Sequence, residues 1–411
     1  MKVPQPRRVL FLVENLPSPF DRRVWQEATT LRDAGYTVSI VCPTGRGHEK
    51  TFEAIDGIHI WRYRLPLEGE GAMGYLIEYA TALTKAFFLS WRVFFTRGFD
   101  VIHACNPPDL FFLIGGFFKL FGRKFLFDHH DLNPELYEAK FGRRDAFYRL
   151  LVRLEHWTYR SADVALATNE SYRRIAIERG RMDPARVFVV RSGPSLERMK
   201  ILPPQPDVKR GRRYLVGYVG VMGRQEGIDY LLESARVIVF EHGRRDVHFG
   251  LVGGGTSLER MKRLAVELGV ADYVTFTGRV PDEMMLAMLN TADVCVNPDV
   301  ANEMNDKSTM NKIMEYMALG KPIVQFDLTE GRHSAQEASL YARRNDPRDL
   351  AAKILELLDD PARRARMGEY GRRRVESELE WRHEVPKLIA AYEALWRAPE
   401  MATAARGIGA R

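Results

Sequence analysis

The sequence is poor in cysteine. Only Cys42, Cys105 and Cys295 occur among 411 residues, and each stands at the end of an apolar, strand-like run. An odd number of cysteines without a pairing pattern argues against a disulfide framework and favours a reducing, cytoplasmic setting. Cysteines in such positions are typical of small buried side chains.

Long uncharged apolar runs are also missing. The most apolar run, 110–126, is interrupted by Lys119 and two further basic residues, and the aromatic-rich segment 74–98 carries Glu78 and other charges. Because a membrane-spanning helix needs about 20 mostly apolar residues, we expect core helices here. An interfacial contact through aromatic and arginine side chains is the alternative. The apolar run 8–13 is too short for a signal peptide.

Charge is distributed unevenly. Residues 1–205 hold 30 Lys and Arg against 23 Asp and Glu, whereas residues 206–411 hold 31 of each, so the first half carries the whole excess of +7. This asymmetry is consistent with an anionic partner of the first half, such as a membrane surface. Solvated basic segments near 142–161 and 173–200 explain it equally well. We expect no nucleic-acid partner.

The length predicts two domains of about 200 residues each, and the composition, 45% apolar and 28% charged, is that of a soluble globular protein. Apolar runs alternate with helical periods, which favours parallel sheets covered by helices on both faces. The predicted strands are 8–13, 36–42, 57–63, 100–104, 124–128, 163–167, 186–190, 214–219, 247–252, 273–277, 293–297, 322–326 and 338–342. The predicted helices are 21–34, 74–97, 108–122, 142–161, 169–179, 227–240, 256–268, 281–290, 309–319 and 346–358, with a helical tail over 361–397.

A proline-rich basic stretch, 193–212, interrupts this alternation and reads as a linker. We therefore predict three parts: residues 1–205, residues 206–380, and a C-terminal helix with its tail, 381–411. Two open α/β domains bind ligands in the cleft at the carboxyl ends of their strands, so the loops there are the candidate sites.

Three of these loops are rich in glycine. In each, a strand runs through a turn into a helix, where backbone N–H groups and the helix start favour a phosphate or nucleotide. Arg224 could add a bidentate contact. Tight packing of the turns is the alternative interpretation. The candidates are Gly220, Gly223, Arg224 and Gly227, then Gly253 and Gly254, then Gly278, Arg279 and Val280.

The fourth loop, "NDKSTMNKIMEYMALGKPIV", places Lys307 and Lys312 around a predicted helix start. Cations are disfavoured there unless an anion is bound. A diphosphate held by backbone groups near Ser308 and Thr309, with Lys312 neutralising its charge, would resolve the conflict. Glu315 then either pairs with Lys312 or accepts hydrogen bonds from a ribose or sugar hydroxyl, and we favour the second.

These segments together resemble the family 4 retaining glycosyltransferases of the GT-B fold. The matching stretches are "YVGVMGRQEGIDYLLESA", "FGLVGGG", "VTFTGRVP", "ADVCVNPD" and "NKIMEYMALGKPIV", with "DVIHACNPPDL" and "FLFDHHDLNPE" in the first half. The resemblance implies two Rossmann-like doubly wound domains facing across a cleft, with a C-terminal helix packing back on the first domain. It also implies a nucleotide-diphosphate sugar as donor, retention of anomeric configuration, no metal or other cofactor, and a role in cell-surface polysaccharide or glycolipid assembly.

The resemblance assigns roles in the second half residue by residue. Glu315 matches the second glutamate of the family's E-x7-E motif, which contacts the nucleotide ribose, but the first glutamate falls at Lys307. The family's two basic positions in its glycine turn fall at Val221 and Glu226, and we infer that Arg224 and Lys312 replace them.

In the first half, the resemblance places His130 beside the reacting sugar, whereas His129 should face elsewhere. Asp131 extends the motif, and His103 is a weaker candidate at another strand end. We expect Asp21, Arg22 and Arg23 to face the acceptor, with helix capping by Asp21 as the alternative. Adjacent strand residues point to opposite faces, so His129 and His130 do not suit one metal ion.

We therefore predict a cytoplasmic glycosyltransferase whose second half binds the donor and whose first half binds a sugar or lipid-linked acceptor. Docking at the inner membrane face is a further hypothesis. A non-catalytic binding or scaffold subunit is one alternative, since three family positions are changed. A nucleotide-sugar epimerase of the same fold is the other.

Overall fold

Two sheets form the protein, and all their strands are parallel except the edge strand β3 of the first sheet. The computed structural model describes residues 7–45, 47–65 and 71–397, except for the side chains of 71–76. The first sheet has the order β3-β4-β2-β1-β5-β6-β7-β8. Its strands are β1 Arg8–Leu12, β2 Thr37–Pro43, β3 Phe52–Ile55, β4 Ile58–Tyr63, β5 Val101–Cys105, β6 Lys124–His129, β7 Val164–Ala167 and β8 Val187–Val189.

The second sheet has the order β11-β10-β9-β12-β13-β14 and is parallel throughout. In both sheets the strand order reverses beside the first strand, which places a topological switch point at the carboxyl edge. The strands are β9 Tyr214–Val219, β10 Val247–Val252, β11 Val274–Gly278, β12 Val294–Asn297, β13 Ile323–Phe326 and β14 Ser339–Ala342.

Helices cover both faces of each sheet. Since central strands such as β5 and β10 are buried along their whole length, they are apolar on both faces, as parallel strands between helix layers must be. The helices around the first sheet are α1 Arg22–Asp33, α2 Gly71–Thr96, α3 Phe112–Lys119, α4 Asn133–Phe141, α5 Ala146–Ser161 and α6 Glu170–Glu178.

The helices of the second half include two short ones that follow the carboxyl ends of β12 and β13. π-helical turns at Val237–Glu241 and Val375–Leu379 extend α7 and α14. The helices are α7 Ile228–Arg236, α8 Leu258–Glu267, α9 Asp282–Thr291, α10 Glu303–Lys307, α11 Asn311–Ala318, α12 Thr329–Ala335, α13 Pro347–Asp359, α14 Pro361–Arg374 and α15 Trp381–Ala394.

The C-terminal helix α15 returns to the first sheet. Leu388 and Tyr392 are fully buried in the core that includes strands β1 and β5, and the Tyr392 hydroxyl lies 2.7 Å from Nδ1 of His103. The two segments that cross between the sheets lie side by side, because the Trp381 amide donates to the Pro194 carbonyl over 3.1 Å. The predicted fold class is thereby confirmed, including the return of the last helix.

The predicted strands all occur, and the apolar segments 74–98 and 110–126 form α2 and α3. The sequence reading missed β3, an antiparallel edge strand, and the helices α4, α10 and α12, which are too short to show a clear period. All three cysteines are buried and free. Among the described residues, no helix is long and apolar enough to span a membrane. The domain boundaries stay a prediction.

Candidate functional site

The glycine loops after β9 and β10 pack backbone against backbone. Gly253 has a φ of +132°, and a Cβ built on it would lie 1.9 Å from the Gly220 carbonyl oxygen. The Gly220 amide donates to the Val252 carbonyl (3.0 Å), and the Gly253 amide donates to the Gly278 carbonyl (3.0 Å). These two amides are therefore unavailable to a phosphate, and the prediction that they approach one is wrong. Close packing explains the glycines.

Other amides of the same loops remain open. The backbone N–H groups of Gly223, Gly254 and Gly255 have no hydrogen-bond partner within the described chain. Arg224 is exposed and forms no ion pair with any described residue. Gly227, in the left-handed region at φ +63°, starts α7 and approaches the Pro298 carbonyl so closely that a Cβ would lie 1.9 Å away. The loop after β9 thus presents unpaired donors and one unpaired guanidinium.

Arg279 reaches across the cleft from the loop after β11. Its guanidinium lies 5.0 Å from the ring centroid of Phe20, in the loop that follows β1. Gly278 takes the left-handed conformation at this turn (φ +67°), and Val280 packs, half-buried, on the core beneath α9. The predicted role of these three residues in donor binding stays a prediction.

Lys312 is neutralised by the protein itself. Its Nζ lies 2.7 Å from Oδ1 of Asp299 and 2.8 Å from Oε2 of Glu226, and the side chain is only 9% exposed. Burial raises the pKa of Asp299 to about 7, while the Lys312 ammonium acts in the opposite direction. The sequence argument that Lys312 requires a bound anion is therefore wrong, because two carboxylates already compensate it.

Lys307 does not crowd a helix start either. It is the last residue of α10, the end at which cations are favoured, and pairs with Glu303 over 2.6 Å. Ser308 follows α10 rather than capping the next helix, and Met310 precedes α11 without a side-chain cap. The amide of Ser308 donates to Asn305, so the prediction that it binds a phosphate is wrong.

The hydroxyls of Ser308 and Thr309 instead join the two halves of the protein. Oγ of Ser308 lies 3.2 Å from the Tyr172 hydroxyl, and Oγ1 of Thr309 accepts from the side-chain amide of Asn169 over 2.9 Å. The backbone amides of Asn311 and Lys312, in the first turn of α11, have no partner in the described part of the chain. An anion at this helix start therefore has backbone donors available.

Glu315, one turn into α11, contacts two arginines. Its Oε1 lies 3.1 Å from Nη1 of Arg22 and 3.0 Å from Nη1 of Arg198. Both arginines also bind Asp282, at 3.3 Å and 2.6 Å. Arg22 thus spans the cleft to the second half, which corrects the prediction that it faces the acceptor. The alternative to the ribose role, a pairing of Glu315 with Lys312, does not form, because Lys312 binds Asp299 and Glu226.

His130 stands directly after β6, at the carboxyl edge of the first sheet. Its backbone amide donates to Oδ1 of Asn106 over 2.6 Å, and its Nε2 contacts Oδ2 of Asp128. His129 points to the other face, where its Nδ1 lies 2.6 Å from the Tyr159 hydroxyl. The opposite orientations of the two histidines are as predicted. Burial raises the pKa of Asp131, the next residue along the chain.

Three residues predicted to contact the acceptor substrate instead have partners within the protein. His103 is fully buried between Phe11 and Tyr392, and Arg23 forms two contacts with Asp128, at 2.7 and 3.0 Å. Both side chains are held by partners within the fold, which contradicts the prediction that they face the acceptor. Asp21 caps α1 by accepting from the Val24 amide (3.2 Å), which is the capping alternative.

Within the described residues, one set has the spacing of metal ligands: His103, Cys105 and Asp128. The fit to a metal is poor, since Arg23 already neutralises Asp128 and burial raises the pKa of the Cys105 thiol. A metal ion here would lie beside a buried guanidinium.

Sequence reasoning missed Arg198, Asn106 and Asn169. Arg198 lies in the proline-rich linker, where its basic context resembled a solvated stretch. Asn106 precedes two prolines after β5, and its side chain binds both the Asp109 carboxylate and the Asp131 carbonyl. A polar residue directly after a buried strand was the signal that could have identified Asn106.

Comparisons with known proteins agree with this geometry. Residues 213–360 match the family described as "Glycosyl transferases group 1", and residues 21–193 match the "Glycosyl transferase 4-like domain". The cleft-forming fold defines a GT-B protein, and the chain belongs to the family 4 glycosyltransferases.

Two curated relatives are D-inositol 3-phosphate glycosyltransferases. The one from Corynebacterium urealyticum is 29% identical over 54% of this chain, and the one from Geodermatophilus obscurus is 30% identical over 60%. The alignments span only 54% and 55% of those relatives' own lengths.

Solved structures share the fold over nearly the whole chain. Sucrose-phosphate synthase from Thermosynechococcus elongatus has a TM-score of 0.77 at 20% identity, covering 95% of this chain and 99% of that one. HepE from Anabaena, solved in complex with UDP-glucose, has a TM-score of 0.70 at 14% identity, covering 94% and 99%.

Proposed function

We propose that the protein transfers a sugar from a nucleotide-diphosphate donor to an acceptor held by the first half. The observation that carries this proposal is that unpaired backbone donors and Glu315 share helix α11, whose Lys312 contacts Glu226 in the loop after β9. The first turn of α11 and the loop after β9 supply those donors. Relatives bearing the name glycosyltransferase, and HepE complexes with UDP and UDP-glucose, support the same reading.

In this proposal the donor lies across the second half. Glu315 accepts hydrogen bonds from the ribose hydroxyls, displacing Arg22 and Arg198. The open amides of Gly223 and Asn311, with the exposed Arg224 guanidinium, stabilise the diphosphate as it leaves. Developing negative charge on that group is the feature of the transition state that fixed donors of this kind recognise best.

The chemistry is a substitution at the anomeric carbon. The bond to the diphosphate oxygen breaks, a bond to the acceptor hydroxyl oxygen forms, and the hydroxyl proton passes to the leaving phosphate. We propose retention of configuration and no bound metal. We expect full activity in excess EDTA and, by NMR, a product whose anomeric configuration is that of the donor. Loss of activity in EDTA contradicts the proposal that no metal is bound.

The decisive experiment uses two carboxylates that share the same arginines. Glu315→Gln and Asp282→Asn each remove one partner of Arg22 and Arg198, but only Glu315 is assigned to the nucleotide. A thermal-shift screen of UDP, GDP, ADP and their sugars identifies the donor, since a ligand at 100 times its Kd stabilises by about 2.7 kcal/mol. Turnover with that donor is then measured.

We expect Glu315→Gln to weaken nucleotide binding by about tenfold or more, because a charged hydrogen bond contributes about 1.5–3 kcal/mol. We expect Asp282→Asn to bind within about twofold of the parent. Equal effects of the two variants contradict the assignment of Glu315. Binding without turnover supports a non-catalytic subunit, and conversion of the donor without acceptor supports an epimerase.

We also propose that the acceptor is lipid-linked and that the protein docks on an anionic membrane surface through the first half. Phe95 (77% exposed) and Leu120 (81%) stand out from α2 and the end of α3, and Phe95 and Phe121 both pack on Trp91. Basic residues flank this aromatic patch. Aromatic rings beside arginines suit the interface between headgroups and acyl chains.

Vesicle sedimentation tests this surface. Phe95→Ser with Leu120→Ser should reduce binding to vesicles containing phosphatidylglycerol at least about fivefold at low salt. Val266→Ser is the matched control, because Val266 is 67% exposed on the second half. A parent protein that ignores such vesicles at low salt contradicts the membrane proposal and leaves the donor assignment intact.

A further inference from the structure

Asp128 links a buried arginine to the candidate catalytic histidine. Arg23 donates from Nη2 to Oδ1 of Asp128 (2.7 Å) and from Nε to Oδ2 (3.0 Å), while Nε2 of His130 contacts the same Oδ2. Asp128 and His130 lie two residues apart at the end of β6, so their side chains share one face. Arg23 is itself fixed by the carbonyl of Val190 (2.8 Å).

This geometry determines which nitrogen of His130 carries the proton. Burial opposes ionisation of Asp128, but Arg23, His130 and His103 outweigh it and hold the pKa of Asp128 well below its ordinary value. An ionised carboxylate only accepts hydrogen bonds, so Nε2 of His130 donates to it. Nε of Arg23 is also within hydrogen-bond geometry of Nε2, at 3.1 Å, but an unprotonated Nε2 would set its lone pair against the carboxylate oxygen that it contacts, so the Asp128 contact decides the tautomer.

Nδ1 of His130 is then the acceptor. It has no hydrogen-bond partner in the described residues, and the side chain is 13% exposed at the carboxyl edge of the sheet. The backbone amide of His130, bound to Asn106, fixes the start of the side chain as well. A hydroxyl group arriving in the cleft therefore meets a lone pair rather than an N–H group.

We propose that Asp128, held by Arg23, is a positioning residue that keeps the His130 proton on Nε2 and presents Nδ1 to a hydroxyl of the donor sugar or acceptor. This inference rests on the proposed function for the identity of the hydroxyl, but not for the state of the imidazole. Arg23, first predicted to contact the acceptor, acts here through Asp128.

The adjacent histidine supplies a matched control. Nε2 of His129 lies 3.6 Å from Glu155, and Glu155 is paired with Arg179, which also binds Glu135. This second cluster also joins a carboxyl group, an imidazole and a guanidinium, but it lies on the opposite face of β6. Glu155→Gln therefore disrupts a comparable network without touching His130.

Kinetics of four variants test the positioning role. We expect Asp128→Asn to lower kcat about tenfold or more, within the range of a positioned acid–base group, with a smaller change in donor KM. His130→Ala should lower it at least as much, and the double variant no further than about threefold below His130→Ala. Glu155→Gln should keep kcat within about threefold. The proposal is overturned if the losses of kcat in the two single variants multiply in the double variant. It is also overturned if Glu155→Gln lowers kcat as much as Asp128→Asn does.

Nitrogen-15 NMR of the unaltered protein tests the tautomer directly, with His130→Gln used to assign its signals. We expect a protonated Nε2 and an unprotonated Nδ1. A proton on Nδ1, or a rapid mixture of both tautomers, overturns the role of Asp128 even if Asp128→Asn fails to fold. Because this measurement needs no turnover, inactivity with every donor contradicts only the proposed function.

Discussion

The two edges of the cleft use charge in opposite ways. The first edge is the carboxyl edge of the first sheet, where the ion pair of Arg23 with Asp128 is buried. The second edge is the carboxyl edge of the second sheet. There the loop after β9 leaves Arg224 and several backbone amides without partners among the described residues, whereas Lys312 is paired with two carboxylates. The first edge holds its central side chains in one arrangement, whereas the second leaves hydrogen-bond donors without partners among the described residues.

This difference explains why similar sequence signals had different outcomes. Glycine turns and arginines look alike whether they bind a ligand or another part of the chain. Which of the two a glycine turn or an arginine does depends on its contact partners, and these come from segments distant in the sequence. Predictions that change one partner at a time therefore separate the two edges.

The largest effect is expected at the contact between the loops after β9 and β10. Gly253→Ala places a methyl group against the Gly220 carbonyl, and the loops must separate. We expect a loss of about 4 kcal/mol or more in unfolding free energy, measured by urea denaturation. Gly243→Ala is the control, because Gly243 has a similar requirement for positive φ (+68°) but open space around its Cβ. It should lose about 1 kcal/mol, and equal losses contradict the packing explanation.

A smaller effect is expected for Lys312→Met, which leaves Asp299 and Glu226 without their cation. Removing one partner of a buried ion pair costs about 3–5 kcal/mol. Adding Asp299→Asn should restore about half of the lost stability, since one uncompensated charge is removed. Lys307→Met, at a more exposed pair, should cost under about 1 kcal/mol. A double variant no more stable than Lys312→Met shows that charge is not the cause.

On the first edge, Glu14 gives a dependence on pH. Burial, with a further contribution from Glu78, raises the pKa of Glu14 from 4.5 to about 8, so the folded protein holds a proton that the unfolded chain releases. Stability from this group is full below pH 4.5 and falls as pH rises to 8. Glu14→Gln should therefore gain stability relative to the parent over that range, up to about 4 kcal/mol at pH 8. A difference in Tm that does not change with pH contradicts this.

The smallest effect is expected for Arg22→Ala, the contact that joins the edges. Arg22 is half exposed in its pairs with Glu315 and Asp282, so its loss should lower unfolding free energy by less than about 1 kcal/mol. The difference should shrink further at 1 M salt, where charges are screened within about 3 Å. A larger loss that is independent of salt indicates that the contact is not mainly electrostatic.

The fold could be predicted from the sequence because the spacing of apolar residues and the length of each strand are local properties of the chain. Every central strand follows from them, whereas the edge strand β3, half exposed and only four residues long, does not. The position of Glu315 at the cleft also followed, since a helix start after a strand has a fixed place in such sheets.

The pairing of charged side chains could not be predicted from the sequence. Lys312 meets Glu226, 86 residues away, and Arg23 meets Asp128, 105 residues away. Such contacts depend on which strands become neighbours and on side-chain direction, neither of which a local pattern contains. His103 shows the same limit: a histidine at a strand end is buried here because α15 returns to cover it.

The adjacent crossings at Pro194 and Trp381 have a mechanical consequence. Gly193 lies so close to Leu379 that a Cβ would stand 2.4 Å from its carbonyl oxygen, and the Arg191 amide is bound to the buried Glu384. The two crossing segments therefore form a tightly packed joint between the halves, in addition to the contacts of Ser308 and Thr309 with the first half. A rotation about such a joint displaces side chains in proportion to their distance from it, so the contact of Arg144 with Glu303 depends on the angle between the two halves at the crossing.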